Sequence, residues 1–113
     1  MSSISSIILP IYQKYASRIS KQGGTIDLSI KDPSLSVKNP KKTEQIIISF
    51  INFTISNTRK PHIIISGTDR YLIIKDENTL LEPDFKTKIT DIDSNIKVSS
   101  RIGFGTKLQF PLL

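Results

Sequence analysis

The chain contains no cysteine, which excludes a disulfide framework, a thiolate metal site and a cysteine nucleophile, and fits a reducing compartment such as the cytosol. No apolar run approaches the roughly 20 residues that a membrane-spanning helix needs, so no membrane attachment is expected. The opening Met1-Ser2-Ser3-Ile4-Ser5-Ser6-Ile7 has neither the basic start nor the cleavage site of a signal peptide. Histidine occurs once. A phosphoacceptor would need an exposed imidazole on a helix beside an acidic residue, whereas His62 follows Pro61 at the start of a strand pattern, so it reads as a structural or surface residue. Asp27, Asp32, Asp69, Asp84, Asp91 and Asp93 are scattered among turns with no spacing that nominates a general acid and base, and no serine lies in a Gly-x-Ser-x-Gly setting. Zinc-finger spacing, an RNA-binding aromatic signature, internal repeats and low-complexity linkers are missing as well.

What is present is modest in size. A length of 113 residues fits one domain, residues 1–113, with a single core. The net charge of +6 suits a polyanion or an acidic protein surface. Its sign alone does not choose between them, because the basic residues are dispersed except at Lys38-Asn39-Pro40-Lys41-Lys42, and a solvated surface is the simplest account.

Apolar residues at Ile8, Leu9, Ile11, Tyr12, Tyr15, Ala16 and Ile19 recur at helical spacing from about Ile7 to Ser20, with Pro10 expected in the first turn and Gly23-Gly24 ending the helix. Residues 24–30 alternate as a half-buried strand does, and a Lys31-Asp32-Pro33-Ser34 turn leads to a short Leu35-Ser36-Val37 segment. A second helix is expected from Thr43 to Asn57. It is apolar around most of its circumference and should be buried, Phe53 included. Residues 62–66 and 71–76 flank Gly67-Thr68-Asp69-Arg70 as a hairpin, a short helical turn is expected near Asp84–Ile92, and residues 95–100 and 106–110 flank Gly103-Phe104-Gly105-Thr106 as another. This order predicts an α+β two-layer sandwich with the helices on one face of a mixed β-sheet.

Four segments, Gln22–Leu28, Thr43–Thr54, Ile73–Leu81 and Gly103–Thr106, resemble, in order and over nearly the whole chain, segments of histidine-kinase ATP-binding domains. Gln22-Gly23-Gly24-Thr25-Ile26-Asp27-Leu28 is similar to the helix-to-strand start. Thr43-Glu44-Gln45-Ile46-Ile47-Ile48-Ser49-Phe50-Ile51-Asn52-Phe53-Thr54 resembles the helix "l-x-Q-v-l-x-N-L-l-x-N-A". Ile73-Ile74-Lys75-Asp76-Glu77-Asn78-Thr79-Leu80-Leu81 stands where the family has "v-x-D-x-G-x-G-I", and Gly103-Phe104-Gly105-Thr106 resembles its closing hairpin. The implied fold is a reduced Bergerat-like sandwich.

The resemblance also implies a nucleotide site that this chain departs from. In the family the helix asparagines hold Mg²⁺ and, through it, the triphosphate, since a hard cation takes oxygen ligands. Anchoring on Gln45 puts Ser49 and Phe53 at those positions, and phenylalanine cannot ligate a metal. Asn57, one turn further on, is then a helix-end residue. Asp76 matches the aspartate that accepts a hydrogen bond from the adenine amino group, and would otherwise be an exposed residue closing a strand. Asn78 and Leu80 replace the glycines that allow close backbone approach, and residues 82–94 are too few for the family's lid and second glycine segment. Lys86 and Lys88 read as solvated, and Gly103 and Gly105 as turn residues, with no helix after them to bind phosphate.

The reading is a degenerate, lidless domain in two-component-type signalling, with Asp76, Asn57 and Thr106 as the remnant of a nucleotide site and no catalytic, metal or cofactor group. Its implied partner is a response-regulator-like acidic protein docking on Lys38, Lys41, Lys42, Arg59 and Lys60, and homodimerisation would need a further segment. The alternatives are an ATP-binding kinase fragment that holds ATP and Mg²⁺ weakly, and a basic nucleic-acid-binding domain.

Overall fold

The computed structural model describes residues 3–81 and 83–113. Helix α1 (Ile4–Lys21) starts a turn earlier than its apolar spacing predicts. The Ser3 hydroxyl accepts the Ser6 N–H at 3.2 Å, and the Ser6 hydroxyl donates back to the Ser3 carbonyl at 2.8 Å. Ile4 and Ser5 donate their N–H groups to Leu35 and Pro33 at 2.9 and 3.1 Å. Pro10 therefore lies inside the helix and not in its first turn; the carbonyl it leaves without an N–H belongs to Ser6, which faces solvent. At the other end Gly23, at φ +77°, lets the chain leave in a left-handed turn, with Gly23 N–H on the Ser20 carbonyl and Gly24 N–H on that of Ile19.

After strand β1 (Thr25–Ile30), helix α2 runs Pro40–Asn57, with Pro40 at the first helical position where its missing N–H costs nothing. One face of α2 is buried through Thr43, Ile46, Ile47, Phe50, Ile51, Thr54 and Ile55, the spacing that an amphipathic helix requires. Gln45, Asn52 and Asn57 are exposed, and Phe53 is only half-buried. The expectation of a core Phe53 is thus corrected: it sits on the shoulder of the helix, outside the principal core.

Strands β2 (His62–Gly67) and β3 (Tyr71–Asp76), helix α3 (Pro83–Ile92), and strands β4 (Lys97–Arg101) and β5 (Gly105–Pro111) complete the fold. The sheet order is β1-β2-β3-β5-β4. Strand β1 is parallel to β2, and every other pairing is antiparallel. Alternation sends Ile63, Ile65, Leu72, Ile74, Leu108 and Phe110 into a core shared with Ile8, Ile19, Ile47, Phe50 and Ile51, so the helices cover one face and leave the other to solvent. This is the mixed α+β sandwich that the element order predicts, with Phe50, Ile47, Ile51 and Phe110 fully buried. Among the described residues no helix is long and apolar enough to cross a membrane.

Candidate functional site

Asp76 ends β3 directly opposite Thr106 at the start of β5, and both side chains point into the helix-covered layer. The carboxylate is fully buried, so the exposed strand-closing role is ruled out. Its Oδ2 accepts the His62 N–H at 3.0 Å and its Oδ1 accepts the Asn78 N–H at 2.7 Å. Burial pushes the Asp76 carboxyl above the usual carboxylate range, while hydrogen bonds from Asn78, His62 and Thr79 pull the other way and do not cancel it.

Thr106 anchors the segment that follows β3. Its hydroxyl donates to the Thr79 carbonyl at 2.6 Å and shares a hydrogen bond of 2.9 Å with the Ser100 hydroxyl, whose oxygen also accepts the Leu81 N–H at 3.0 Å. Thr79 itself is buried, its hydroxyl 2.6 Å from that of Thr58 at the end of α2. The stretch Asn78–Leu81 is therefore stitched to α2, β4 and β5 by its own polar groups. Gly105, at φ +78°, lets β5 begin so close to β3 that a Cβ there would overlap the Asp76 carbonyl and the Glu77 backbone. That close approach, and the left-handed Gly103 at φ +87°, make Gly103-Phe104-Gly105-Thr106 a hairpin turn.

Asn57, the third residue of the implied site, does not join Asp76 and Thr106. It is exposed, and its amide donates to the Phe53 carbonyl of its own helix at 2.8 Å. Where the resemblance places a metal-binding amide, the Phe53 ring packs on Phe85 of α3, centroids 4.6 Å apart. Lys86 and Lys88 are exposed. So are Lys38, Lys41, Lys42, Arg59 and Lys60, which stand, as the sequence predicts, in two groups at the ends of an 18-residue helix, about 27 Å apart at the α-helical rise.

Sequence reading missed two groupings on the open face of the sheet. His62 lies between two carboxylates, Nε2 at 3.5 Å from Asp27 and Nδ1 at 3.8 Å from Glu77. Among the described residues no set of three His, Cys, Asp or Glu side chains could hold a metal. Lys75 and Lys107 face each other across β3 and β5. Alternation assigns each residue its face, but the neighbours depend on a strand order that spacing does not give.

A five-stranded mixed sheet in this order, with α1 and α2 packed on one side, matches the fold of histidine-kinase catalytic domains. The chain is similar to the cytoplasmic segment of histidine kinase QseC, with a TM-score of 0.74 and 8% identity over 99% of this chain and 72% of that one. It is similar also to the catalytic domain of histidine kinase ThkA, with a TM-score of 0.72 and 13% identity over 98% of this chain and 93% of that one. ThkA in complex with the response regulator protein TrrA matches with a TM-score of 0.65 and 14% identity over 98% of this chain and 40% of that one. No family model and no curated protein matches the sequence.

Proposed function

We propose that this domain is a regulatory protein-binding module of two-component-type signalling in which the histidine-kinase fold is kept and ATP-dependent phosphorylation is lost. The observation that carries this reading is the state of Asp76: the carboxylate that would meet adenine is fully buried and engaged by the chain's own His62 and Asn78 N–H groups. Thr79 and its hydrogen bonds to Thr58 and Thr106 occupy the segment that glycines would leave open to a base, and the Phe53–Phe85 pair offers no oxygen to Mg²⁺.

A receiver-type acidic protein is the partner this reading favours, consistent with the solved ThkA–response regulator complex. Lys38, Lys41 and Lys42 are the better of the two basic groups for it. They surround the N-terminus of α2, which has no acidic residue in its first turn and no side-chain cap, so the helix dipole adds to their charge. Arg59 and Lys60 lie beyond its other end and would touch a partner only through a second contact. A cytoplasmic location accords with this role.

Calorimetric titration with ATP and Mg²⁺ tests the first half, with no saturable heat expected at the concentrations that serve a working kinase. Tight, metal-dependent binding abolished by Asp76→Ala would overturn it in favour of a catalytic fragment, the reading that the retained Asp76–Thr106 apposition supports. Charge reversal at Lys41 and Lys42 tests the second half. It is expected to slow association with a receiver domain and to flatten the salt dependence of that association without lowering the melting temperature.

A further inference from the structure

The open face of the sheet concentrates positive charge on one half. Lys75 and Lys107 stand directly opposite each other on antiparallel strands, where like charges repel. Lys107 in turn pairs with Ser99 of β4, which sets Lys97 and Arg101 one pleat to either side on the edge strand. Only Lys75 has a carboxylate in reach, Glu77 at 3.8 Å; Lys97, Arg101 and Lys107 form no ion pair among the described residues. A cleft of about 270 Å³ opens among Lys75, Arg101, Phe104 and Lys107.

Aromatic rings mark both ends of this cationic stripe. Phe104, at the tip of the β4–β5 turn, is 73% exposed, far more than a ring with a packing role. Tyr71 lies beside the far end of β5, opposite Pro111, and the Lys97 ammonium sits 5.8 Å from its ring centroid. Strand β5, which separates them, has seven residues, a length of about 20 Å.

A single phosphate would use only the cations around the cleft and leave Lys97 and Tyr71 without a role. A duplex keeps its base faces stacked inside and has nothing to lay on a ring. An acidic peptide satisfies the charge without the rings. A polyanion with repeated phosphates and accessible base faces uses both features. We propose that the open face of β3, β5 and β4 binds single-stranded nucleic acid, with phosphates along Lys75, Lys97, Arg101 and Lys107 and bases stacked on Phe104 and Tyr71. The proposal is independent of whether Asp76 can meet a nucleotide.

Fluorescence anisotropy of the full chain tests it, with labelled oligothymidylate and oligouridylate, a duplex of equal length, and a polyglutamate peptide as probes. Both single strands are expected to bind more tightly than the duplex or the peptide, and the preference between them tells DNA from RNA. Three or four phosphate contacts should give a log–log salt slope of about −2 to −3. Reversing Lys107 and Arg101 to glutamate together should weaken binding at least about tenfold, and Phe104→Ala by about tenfold, all at exposed positions. Glutamine at the same two basic positions keeps the aliphatic stems and should give a smaller loss in the same direction if the reversal impairs folding. Charge reversal at Lys41 and Lys42 should change affinity by less than about twofold, since those lysines lie outside the stripe. Absence of binding at low salt, stronger binding of duplex or polyglutamate, or an equal loss from the Lys41/Lys42 reversal would overturn the proposal.

Discussion

The rings of Phe53 and Phe85 lie 4.6 Å apart with their planes tilted by 40°, and through them α3 is held against the shoulder of α2. The short α3 buries Ile89 fully, while Phe85 fastens its first turn.

Phe85→Ala is expected to lower stability by about 1–3 kcal/mol, the cost of a half-buried ring together with its aromatic partner. In a double-mutant cycle with Phe53→Ala the coupling should be about 0.5–1.5 kcal/mol. Urea denaturation of the four proteins measures both. Additive losses would show that the two rings touch without interacting.

Asp76 makes stability depend on pH in an unusual direction for a carboxylate. Its folded pKa lies above the ordinary value of 3.8, so the folded chain holds the proton more tightly than the unfolded chain. Its contribution is greatest below pH 3.8 and is lost as pH rises through the folded value. The stability difference between the natural chain and Asp76→Asn, which does not titrate, should therefore shrink as pH rises across that window. At neutral pH the amide still leaves either the His62 or the Asn78 N–H without its acceptor, a loss of about 1–3 kcal/mol set against relief of the buried charge. A difference that grows with pH would refute the buried-carboxylate account.

Gly105 and Gly103 share a left-handed backbone but not their surroundings. A Cβ at Gly105 would overlap the backbone of Asp76 and Glu77, whereas one at Gly103 would meet nothing within 4 Å. Gly105→Ala is expected to cost about 2–5 kcal/mol, from strain plus a clash that backbone cannot evade, and Gly103→Ala about 1 kcal/mol from strain alone. Thermal melts of the two variants should separate them clearly.

Thr54 is fully buried on α2, and its hydroxyl has no hydrogen-bond partner among the described residues. Replacing it with valine removes an unsatisfied polar atom and keeps the branched shape, so Thr54→Val is expected to raise stability by about 1 kcal/mol. A destabilising effect in chemical denaturation would mean that the hydroxyl has a partner after all.

Much of the fold was legible because local periodicity and global burial agree: the spacing of Ile47, Phe50 and Ile51 places one face of α2 inward, and alternation in β3 places Leu72 and Ile74 beneath it. The start of α1 was not: Ser3 caps it locally, but the N–H groups of Ile4 and Ser5 are taken up by the carbonyls of Leu35 and Pro33, some thirty residues away. The Asp76–Thr106 pair could be located from short motifs. Burial of the aspartate could not, since its acceptor role toward His62 arises only when β2 lies beside β3. The Lys75–Lys107 apposition was hidden for a similar reason: β3 pairs with β5, so residues separated by α3 and β4 become neighbours.

Segment 33–37 acts as a clasp between the two ends of the described chain. Ile4 and Ser5 donate to Leu35 and Pro33, Leu113 donates to Ser36, and bridges join Ser3 to Ser36 and Val37 to Leu112. The first turn of α1 and the tail of β5 thus share one support, and loosening of the segment releases both. In amide hydrogen exchange, Ile4 and Leu113 should open as a single cooperative unit although 109 positions apart, with matched protection that a change in the Asp32–Ser34 turn lowers together.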